Sequence, residues 1–381
     1  MKSRPLLVAL AAAALSPAFA GTAPNPYDNT RSPLGMNLIW VTEWESMMPF
    51  IDTFKKSRPW SASSGTLDLD PQGWVRSLAA GQSASTTLMS PNTASQRALA
   101  NKFPSGQYVI SFDGSGTLSF GGSAVTGVQS PQAGRRLVTL DFSQPNASFS
   151  IRIDATDPGN YLRNIRVFLP GGICNHDPFH HAASATDCAP GAYESNEQVA
   201  DEFMFYAPFL NNLKQYRVIR YLQTLGLNGS TMSQPSEWRA LGAATWWNQV
   251  PLEVVTRLAN QLGADVWLNI PQRASDALVQ HMATQMQTGL EPDLKVYTEA
   301  VQRGLEWRVA LCPARAVVRR ARLPALPGPD PVRQRRHARQ RHPVRGLSLA
   351  QPGRGLHHRT QPLLFGSHGG GRCHFRQHPG D

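Results

Sequence analysis

The amino-acid composition of this chain changes abruptly near residue 301, and the change limits how much of the sequence can fold. Residues 302–381 contain 16 arginines and nine prolines, but no isoleucine, tyrosine, methionine or lysine. Their apolar residues follow neither the 3.6-residue period of a helix nor the two-residue period of a strand. Such a segment buries too little apolar surface to offset the entropy lost on ordering. We therefore expect residues 302–381 to be disordered or irregular and residues 1–301 to carry the fold.

The positive charge of the protein belongs to the same segment. The whole chain has a formal net charge of +11, of which residues 302–381 carry +13 and the other 301 residues −2. Three interpretations of the basic segment stay open: a disordered nucleic-acid-binding tail, a proline-rich linker, or sequence translated out of frame from GC-rich DNA. The body of the chain is not basic, and we expect it to have no nucleic-acid partner.

The amino terminus has the pattern of an export signal. Lys2 and Arg4 form a charged start, residues 6–15 are mostly apolar, and residues 18–20 read Ala-Phe-Ala. This order is typical of a Sec-type signal peptide, with cleavage after Ala20. The apolar stretch is shorter than the ~20 residues of a membrane span. We predict a secreted or periplasmic protein without a membrane span.

Export determines how the cysteines are interpreted. Cys174 and Cys188 bracket a polar loop that contains three histidines. A zinc site can be drawn from these residues, but in an oxidising compartment a disulfide is the simpler arrangement. We predict a Cys174–Cys188 disulfide, no metal and no other cofactor. Cys312 and Cys373 lie in the basic tail, and we assign them no role.

The spacing of apolar residues divides the body of the chain into zones. A β-prone run at 35–41 precedes apolar residues at helical spacing between Met47 and Phe54, which predicts a strand followed by a helix. From about residue 65 the apolar residues alternate in short runs separated by turn signals, which is typical of an antiparallel sheet or small sandwich. The predicted segments are a signal peptide (1–20), a first βα unit (21–64), a β-rich insert (65–172), a disulfide loop (173–192), further βα units (193–301) and the irregular tail (302–381).

After the predicted disulfide loop, strands and helices alternate again. Together with the run at 35–41, strand patterns near 216–222, 265–271 and 294–299 make four strand–helix beginnings with polar strand ends. This alternation favours an α/β fold and is typical of half of a (β/α)₈ barrel. The predicted fold class is a partial (β/α)₈ barrel with an inserted antiparallel β-rich subdomain.

Residues 35–38, Trp40 and residues 216–223, 267–271 and 294–299 resemble secreted bacterial proteins described as cellulose-binding or glycoside-hydrolase-like. Those proteins are similar to the large clan of (β/α)₈ retaining glycosidases. In them the fourth strand continues as Glu-Tyr-Ser-Asn-Glu-Val-Trp-Asn-Gly, and the Glu after Asn is the acid/base. The resemblance implies a polysaccharide partner such as cellulose or another β-glucan.

The chain departs from this pattern immediately after Glu299. Residues 302–307 can be encoded CAG CGA GGT CTG GAA TGG, and the same bases read one position later give Ser-Glu-Val-Trp-Asn-Gly. The resemblance therefore implies a frameshift near 299–301 and the loss of the remaining four barrel strands with the nucleophile. Glu299 matches the Glu that opens the family motif and is only a weak catalytic candidate. We expect this chain to lack the catalytic carboxylates.

The resemblance also indicates residues that contact substrate. Arg220 ends the second strand, where clan members place an arginine that holds the nucleophile, and Asn269 ends the third, where it can bond sugar hydroxyls. Trp44, Trp246 and Trp247 are candidates for stacking on sugar rings, because indole faces suit the apolar faces of sugars. Structural roles are the alternatives: an ordinary surface or structural arginine, a turn-capping asparagine and core-packing tryptophans.

Three hypotheses about function follow. The first is a truncated or frameshifted exported protein that resembles a retaining glycoside hydrolase acting on a polysaccharide such as a β-glucan, and that is inactive as written. The second is a non-catalytic cellulose- or polysaccharide-binding protein of the cell envelope. The third is a basic-tailed protein that binds anionic surfaces through residues 302–381.

Overall fold

A computed structural model describes residues 25–91, 93–94 and 103–299 with their side chains, and the backbone of residues 300, 307–312 and 315–320. The predicted signal peptide and most of the predicted tail lie outside the described residues, so the expectations about them remain predictions. The described part is a mixed α/β structure in which strands outnumber helices. It contains no closed barrel.

The strands are numbered in chain order. They are β1 (Gly35–Asn37), β2 (Ser61–Ala62), β3 (Asp68–Leu69), β4 (Val75–Ser77), β5 (Ala84–Met89), β6 (Gly106–Asp113), β7 (Gly116–Gly121), β8 (Val125–Gln132), β9 (Arg135–Leu140), β10 (Phe149–Thr156), β11 (Arg163–Phe168), β12 (Gly172–Cys174), β13 (His181–Ala182), β14 (Tyr193–Ser195), β15 (Val218–Arg220), β16 (Asp265–Ile270), β17 (Val296–Ala300), β18 (Trp307–Cys312) and β19 (Arg315–Arg320).

Helices are few and short. They are α1 (Asn196–Val199), α2 (Ala207–Leu213), α3 (Leu252–Leu262) and α4 (Asp276–Gly289), with 3₁₀ turns at Thr53–Lys56, Ala185–Asp187 and Pro235–Glu237. Among the described helices, none combines the length and the hydropathy that a membrane crossing needs.

Four parallel strands form one sheet in the order β1-β15-β16-β17. Helix α3 connects β15 to β16, and helix α4 connects β16 to β17. The sequence specifies these helix ends: Gly263 takes the left-handed conformation (φ 60°) that closes α3, and the Ser275 hydroxyl accepts the Leu278 N–H at the start of α4. Alternate strand residues such as Val266 and Leu268 are buried in the main hydrophobic core, which also includes apolar residues of α3 and α4.

The segment between β1 and β15 contains two four-stranded sheets. Their strand orders are β2-β5-β10-β7 and β11-β6-β9-β8, and their pairings are antiparallel. Inward residues alternate with exposed ones, as at Tyr108 and Ile110 in β6 and Ile151 in β10. The Tyr108 ring lies 6.4 Å from that of Phe149, so the two sheets share one core. This is the antiparallel β structure that the alternating pattern predicts.

The helix predicted between Met47 and Phe54 is wrong. Two isolated β-bridges stand there instead, Phe50 with Phe205 and Asp52 with Phe168, with a bend at Ile51 between them. The apolar spacing imitated a helix because this segment is buried from both sides, between the sandwich and the chain that returns to the parallel sheet. Only the 3₁₀ turn at Thr53–Lys56 is helical.

The predicted disulfide is confirmed. Cys174 and Cys188 are bonded, with Cα atoms 5.5 Å apart. His176 lies in the same loop, and its two ring nitrogens are each 3.0 Å from a carboxylate, Glu194 on one side and Glu202 on the other. Hydrogen bonds to Glu202 and Glu194 raise the pKa of His176. The disulfide therefore closes the loop on itself, and the two His176 contacts join the loop to the following chain.

Part of the tail differs from the expected irregular structure. Strands β18 and β19 pair as an antiparallel hairpin, with Cys312 opposite Arg315. Both strands contain valine, a residue type that favours extended backbone, and this local preference accounts for the difference.

Removing the disulfide should lower the stability of the loop region. A Cys174→Ala/Cys188→Ala double variant is expected to lose about 3 kcal/mol of unfolding free energy, because the unfolded chain regains the entropy of an open loop of about 15 residues. Urea unfolding monitored by tryptophan fluorescence measures the change. The Cys312→Ala/Cys373→Ala variant is the matched control. Equal unfolding midpoints for both double variants would contradict the stabilising role.

Candidate functional site

Polar side chains converge at the carboxyl end of the parallel sheet. One oxygen of Glu299, Oε2, accepts from Arg220 Nε (3.0 Å) and Nη2 (2.8 Å), from Trp267 Nε1 (2.9 Å) and from Asn269 Nδ2 (2.9 Å). The register explains the meeting, because Arg220 pairs with Trp267 and Asn269 pairs with Glu299 on adjacent strands. Residues that alternate along a strand share one face, so these four side chains lie on the same face of the sheet.

Arg220 extends this network to the first strand. Its Nη1 donates to Asn37 Oδ1 (3.0 Å), and Asn37 Nδ2 donates to Gln223 Oε1 (3.2 Å). The guanidinium also lies 5.5 Å from the ring centre of Trp267. Arg220 therefore links β1, β16 and β17 from its position on β15, and we call Asn37, Arg220, Trp267, Asn269 and Glu299 the carboxyl-end cluster.

Two aromatic rings on the same face are exposed. Trp267 is 40% exposed and Tyr297 is 46% exposed, and they are direct partners in neighbouring strands. Large aromatic side chains in the middle of a sheet are usually covered, so this exposure marks an open surface. The open rings lie beside the polar groups of the carboxyl-end cluster.

Asn269 has an unsatisfied acceptor. The residue is fully buried, its Nδ2 bonds to Glu299, and its Oδ1 has no hydrogen-bond partner among the described residues. Buried polar atoms without a partner are uncommon and costly. Asn269 therefore holds Glu299 in position at the expense of its own acceptor.

A second cluster surrounds Glu43, in the loop that follows β1. Glu43 is fully buried, and its carboxylate accepts from Arg58 Nε and from Trp247 Nε1, the latter at 2.6 Å. The Trp44 ring meets the Trp247 ring edge to face at 5.7 Å, and the Arg58 guanidinium lies 5.8 Å from the ring centre of Trp44. Both oxygens of Glu43 are thus bonded, and the cluster orients the two half-buried tryptophans.

Trp246 does not join Trp44 and Trp247. It is only 3% exposed, its ring packs edge to face on Phe50 at 5.0 Å, and its Nε1 donates to the Leu241 carbonyl. A turn closed by the Gln249 N–H on the Trp246 carbonyl begins here, and Trp246 lies in the core whereas Trp247 is half-buried. Trp246 therefore has the core-packing placement that was its alternative, and sugar stacking by Trp44 or Trp247 stays a prediction.

Lys56 is a buried cation next to the second cluster. Its Nζ donates to the carbonyl oxygens of Glu45 (2.7 Å) and Met47 (3.1 Å) and lies 5.2 Å from the ring centre of Phe103. Burial lowers the pKa of Lys56 to about 7, against the opposing effect of the Glu43 and Glu45 carboxylates. The side chain holds the loop after β1 in place.

The carboxyl-end cluster brings together three residues that the sequence singled out: Arg220, Asn269 and Glu299. Two members, Trp267 and Asn37, were not predicted as site residues. The signal for Trp267 was available, because it precedes Asn269 by two residues in a strand and must share its face. Asn37 gives no comparable signal, because its contact with Arg220 spans 183 residues of sequence.

Neither a metal site nor a similar known protein helps to interpret these clusters. Within the described residues, no group of three or more His, Cys, Asp or Glu side chains is arranged to hold a metal ion. Comparisons with protein-family models, with curated proteins and with solved structures gave no match. The interpretation of the site therefore depends on its geometry and on the sequence.

The buried Lys56 should make stability rise with pH. Its folded-state pKa lies below the unfolded value, so between about pH 7 and 10 the unfolded chain binds more protons, and folding gains up to about 1.4 kcal/mol per pH unit. We expect the unfolding free energy of the wild type to rise more steeply with pH than that of Lys56→Met. Urea unfolding of both proteins at pH 7.5 and 9 measures the two slopes. The exposed Lys295→Met variant is the control and should keep the wild-type slope. If the unfolding free energy of Lys56→Met rose with pH as steeply as that of the wild type, the lowered pKa of Lys56 would be ruled out.

Replacing the central carboxylate should loosen the carboxyl-end cluster. Glu299→Gln leaves Arg220 without its counter-charge and places an amide group among four N–H donors. Because the Arg220–Glu299 pair is partly exposed, we expect the unfolding free energy to fall by only about 1 kcal/mol. Chemical denaturation measures the loss. Glu291→Gln, at an exposed turn position, should change stability by less than about 0.5 kcal/mol. Equal effects of the two substitutions would contradict the proposed network.

Proposed function

We propose that this chain is the amino-terminal part of a carbohydrate-active (β/α)₈ protein and that, as written, it binds a polysaccharide such as a β-glucan without cleaving it. The observation that carries the proposal is the pair of exposed rings, Trp267 and Tyr297, beside the carboxyl-end cluster. The strand order β1-β15-β16-β17 supports the half-barrel, because strands of such a barrel pair in the order in which they occur along the chain.

The chemistry of the surface suits a sugar chain. The apolar face of a pyranose ring stacks on an indole or phenol ring, as Trp267 and Tyr297 permit. Sugar hydroxyls both donate and accept, so they can pair with the partly exposed Arg220–Glu299 pair. Carboxyl ends of parallel strands are also where α/β proteins place their ligand sites.

Two features argue against cleavage by the chain as written. A retaining glycosidase needs two carboxyls about 5–5.5 Å apart. Glu299 accepts four N–H groups, and no described side chain brings a second carboxylate into hydrogen-bond contact with the cluster. Glu43 is buried and bonded by Arg58 and Trp247. The catalytic pair of the proposed family therefore belongs to sequence beyond the frameshift inferred near 299–301.

Binding is tested with the full chain, insoluble cellulose and soluble β-glucans. We expect retention on at least one of them and a loss of about tenfold in affinity for Trp267→Ala, since stacking on one ring contributes about 1–3 kcal/mol. Tyr27 is similarly exposed, at 48%, and its N–H donates to Asn25, which donates to the Lys214 and Leu262 carbonyls that precede β15 and β16. Tyr27 therefore lies towards the amino end of the parallel sheet, opposite to the cluster, and Tyr27→Ala is the matched control. Equal affinities for the two variants, or release of reducing sugar by the wild-type chain, would contradict the proposal.

Frame restoration tests the truncation separately. A gene with a one-base correction near codons 299–301 should encode a chain with a Ser-Glu-Val-Trp-Asn-Gly motif after β17. Closing the sheet removes its two free edges and covers its open face, so we expect less aggregation and a higher unfolding temperature. A corrected gene that encounters an early stop codon, or a product that is less stable, would contradict the half-barrel assignment.

A further inference from the structure

A cavity of about 700 Å³ lies between the β sandwich and the elements that surround the parallel sheet. The sandwich contributes Phe112, Gly134 and Ile165 to its wall, and the opposite side contributes Phe50 and Trp246. None of the residues of the carboxyl-end cluster lines it. The cavity is therefore distinct from the surface proposed to bind polysaccharide.

Aromatic rings that pack against the core form part of the wall of the cavity. Phe50 and Trp246 meet edge to face at 5.0 Å, and Trp74, which also lines the cavity, stacks on Phe54 at 5.4 Å. Phe112 completes this wall from the sandwich. Because these rings are fixed by core contacts, the cavity is preformed, which reduces the ordering cost of binding.

Charged groups at the cavity have partners within the protein. Lys55 Nζ donates to the Ala243 carbonyl (2.8 Å) and lies 5.0 Å from the ring centre of Trp246. Asp52 Oδ1 accepts the Phe54 N–H (3.1 Å) and the Val167 N–H (2.9 Å).

The remaining charged groups from the sandwich are partnered as well. Arg166 forms an ion pair with Asp201 (2.7 Å), and Asp113 accepts a hydrogen bond from Asn164 (2.8 Å). Arg257 also lines the cavity, and the Glu253 carboxylate acts on it. Each lining cation therefore has a carboxylate nearby, with Asp52 near Lys55, Asp201 near Arg166 and Glu253 near Arg257, so the cavity presents hydrogen-bonding groups whose charges are largely compensated.

We propose that this cavity binds a neutral sugar ring or a similar polyol. The aromatic wall suits the apolar face of the ring, and the amide, carboxylate and cationic groups at the mouth suit its hydroxyls. A volume of about 700 Å³ falls within the range of about 300–1,000 Å³ that is usual for small-molecule sites, and the boundary between two structural units is a frequent location for them. The cavity also gives Trp246 a ligand-facing position, although not the one that the sequence predicted.

Two substitutions at the mouth can block the cavity without disturbing its core. Ala133 is exposed in the turn between β8 and β9 and lines the cavity from the sandwich side. Gly242 lines it from the opposite side, and a Cβ built there meets no atom within 4 Å. Ala133→Trp and Gly242→Phe therefore fill the mouth from two directions, and Ala133→Ser and Gly242→Ala are their matched controls.

The test is a ligand-observed NMR titration of the full chain with methyl β-D-glucopyranoside and, as the charged counterpart, methyl β-D-glucuronate. We expect saturable binding of the glucoside, at least tenfold weaker binding of the glucuronate, and at least tenfold weaker glucoside binding in both blocked variants but not in their controls. Circular dichroism verifies that each variant is folded. If only one of Ala133→Trp and Gly242→Phe folds, the affinity of that variant for the glucoside decides the test.

Three outcomes would overturn the proposal. They are absence of saturable glucoside binding by the folded wild type, unchanged affinity in a folded blocked variant, and glucuronate binding as tight as glucoside binding. Loss of binding in Trp267→Ala with retention in Ala133→Trp would also overturn it, because the bound glucoside would then lie at the carboxyl-end cluster. The cavity and the polysaccharide surface can thus succeed or fail independently.

Discussion

The arrangement of the described part of the chain depends on how residues 50–52 are held between the sandwich and the chain that returns to the parallel sheet. Strand β1 pairs with β15, which follows it by about 180 residues, so the intervening sandwich must begin and end close together. Ile51 meets this requirement: its N–H donates to Met204 O (3.0 Å), and its carbonyl accepts the Leu169 N–H (3.1 Å). The Asp52 carboxylate adds a link to the Val167 N–H. Because burial raises the pKa of Asp52 and the nearby Lys55 opposes that rise, this junction combines backbone pairing with a buried, partly compensated charge.

The same junction positions the loop that carries Trp247. The carbonyl of Lys55 accepts the Trp246 N–H at 2.7 Å, and the carbonyl of Val41 accepts the Asn248 N–H at 2.8 Å. The loop after β15 is therefore aligned along the chain that leaves β1, and Trp247 meets Glu43 as a consequence. A sandwich inserted at this point does more than extend the surface, since its attachment determines which tryptophan faces outward and which faces the cavity.

Sequence patterns predicted the features that depend on local order. The capped helices α3 and α4, the alternating strands of the sandwich and the Cys174–Cys188 bridge follow from residue types within a few positions of one another. The meeting of Arg220, Asn269 and Glu299 could also be predicted, because ends of neighbouring parallel strands lie together. The two bridges at Phe50 and Asp52 could not be predicted, because burial from two sides produces the same apolar spacing as a helix.

Contacts between distant segments explain the remaining differences. Trp246 and Trp247 are adjacent in sequence and equally apolar, and only the contact of Glu43 with Trp247, across 204 residues, distinguishes the surface member from the core member. Likewise, no local feature of the sandwich indicates that Phe112 and Ile165 would face Phe50 across a cavity. Such contacts depend on how the sandwich packs against the rest of the protein. The spacing of residues within either part does not encode that packing.

The carboxyl-end cluster adds little to the stability of the fold. The side chain of Glu299 is 39% exposed and that of Arg220 is 24% exposed, and ion pairs with this degree of solvent contact contribute only about 0–1 kcal/mol to folding. The unsatisfied Oδ1 of Asn269 costs an amount that is similar or larger. Taken together, these groups leave the end of the sheet with little net stabilisation and with an unsatisfied acceptor. Under the proposed function, the four N–H donors hold Glu299 in position beside the exposed Trp267 ring, where a sugar chain would cover the ring and bond to the partly exposed Arg220–Glu299 pair.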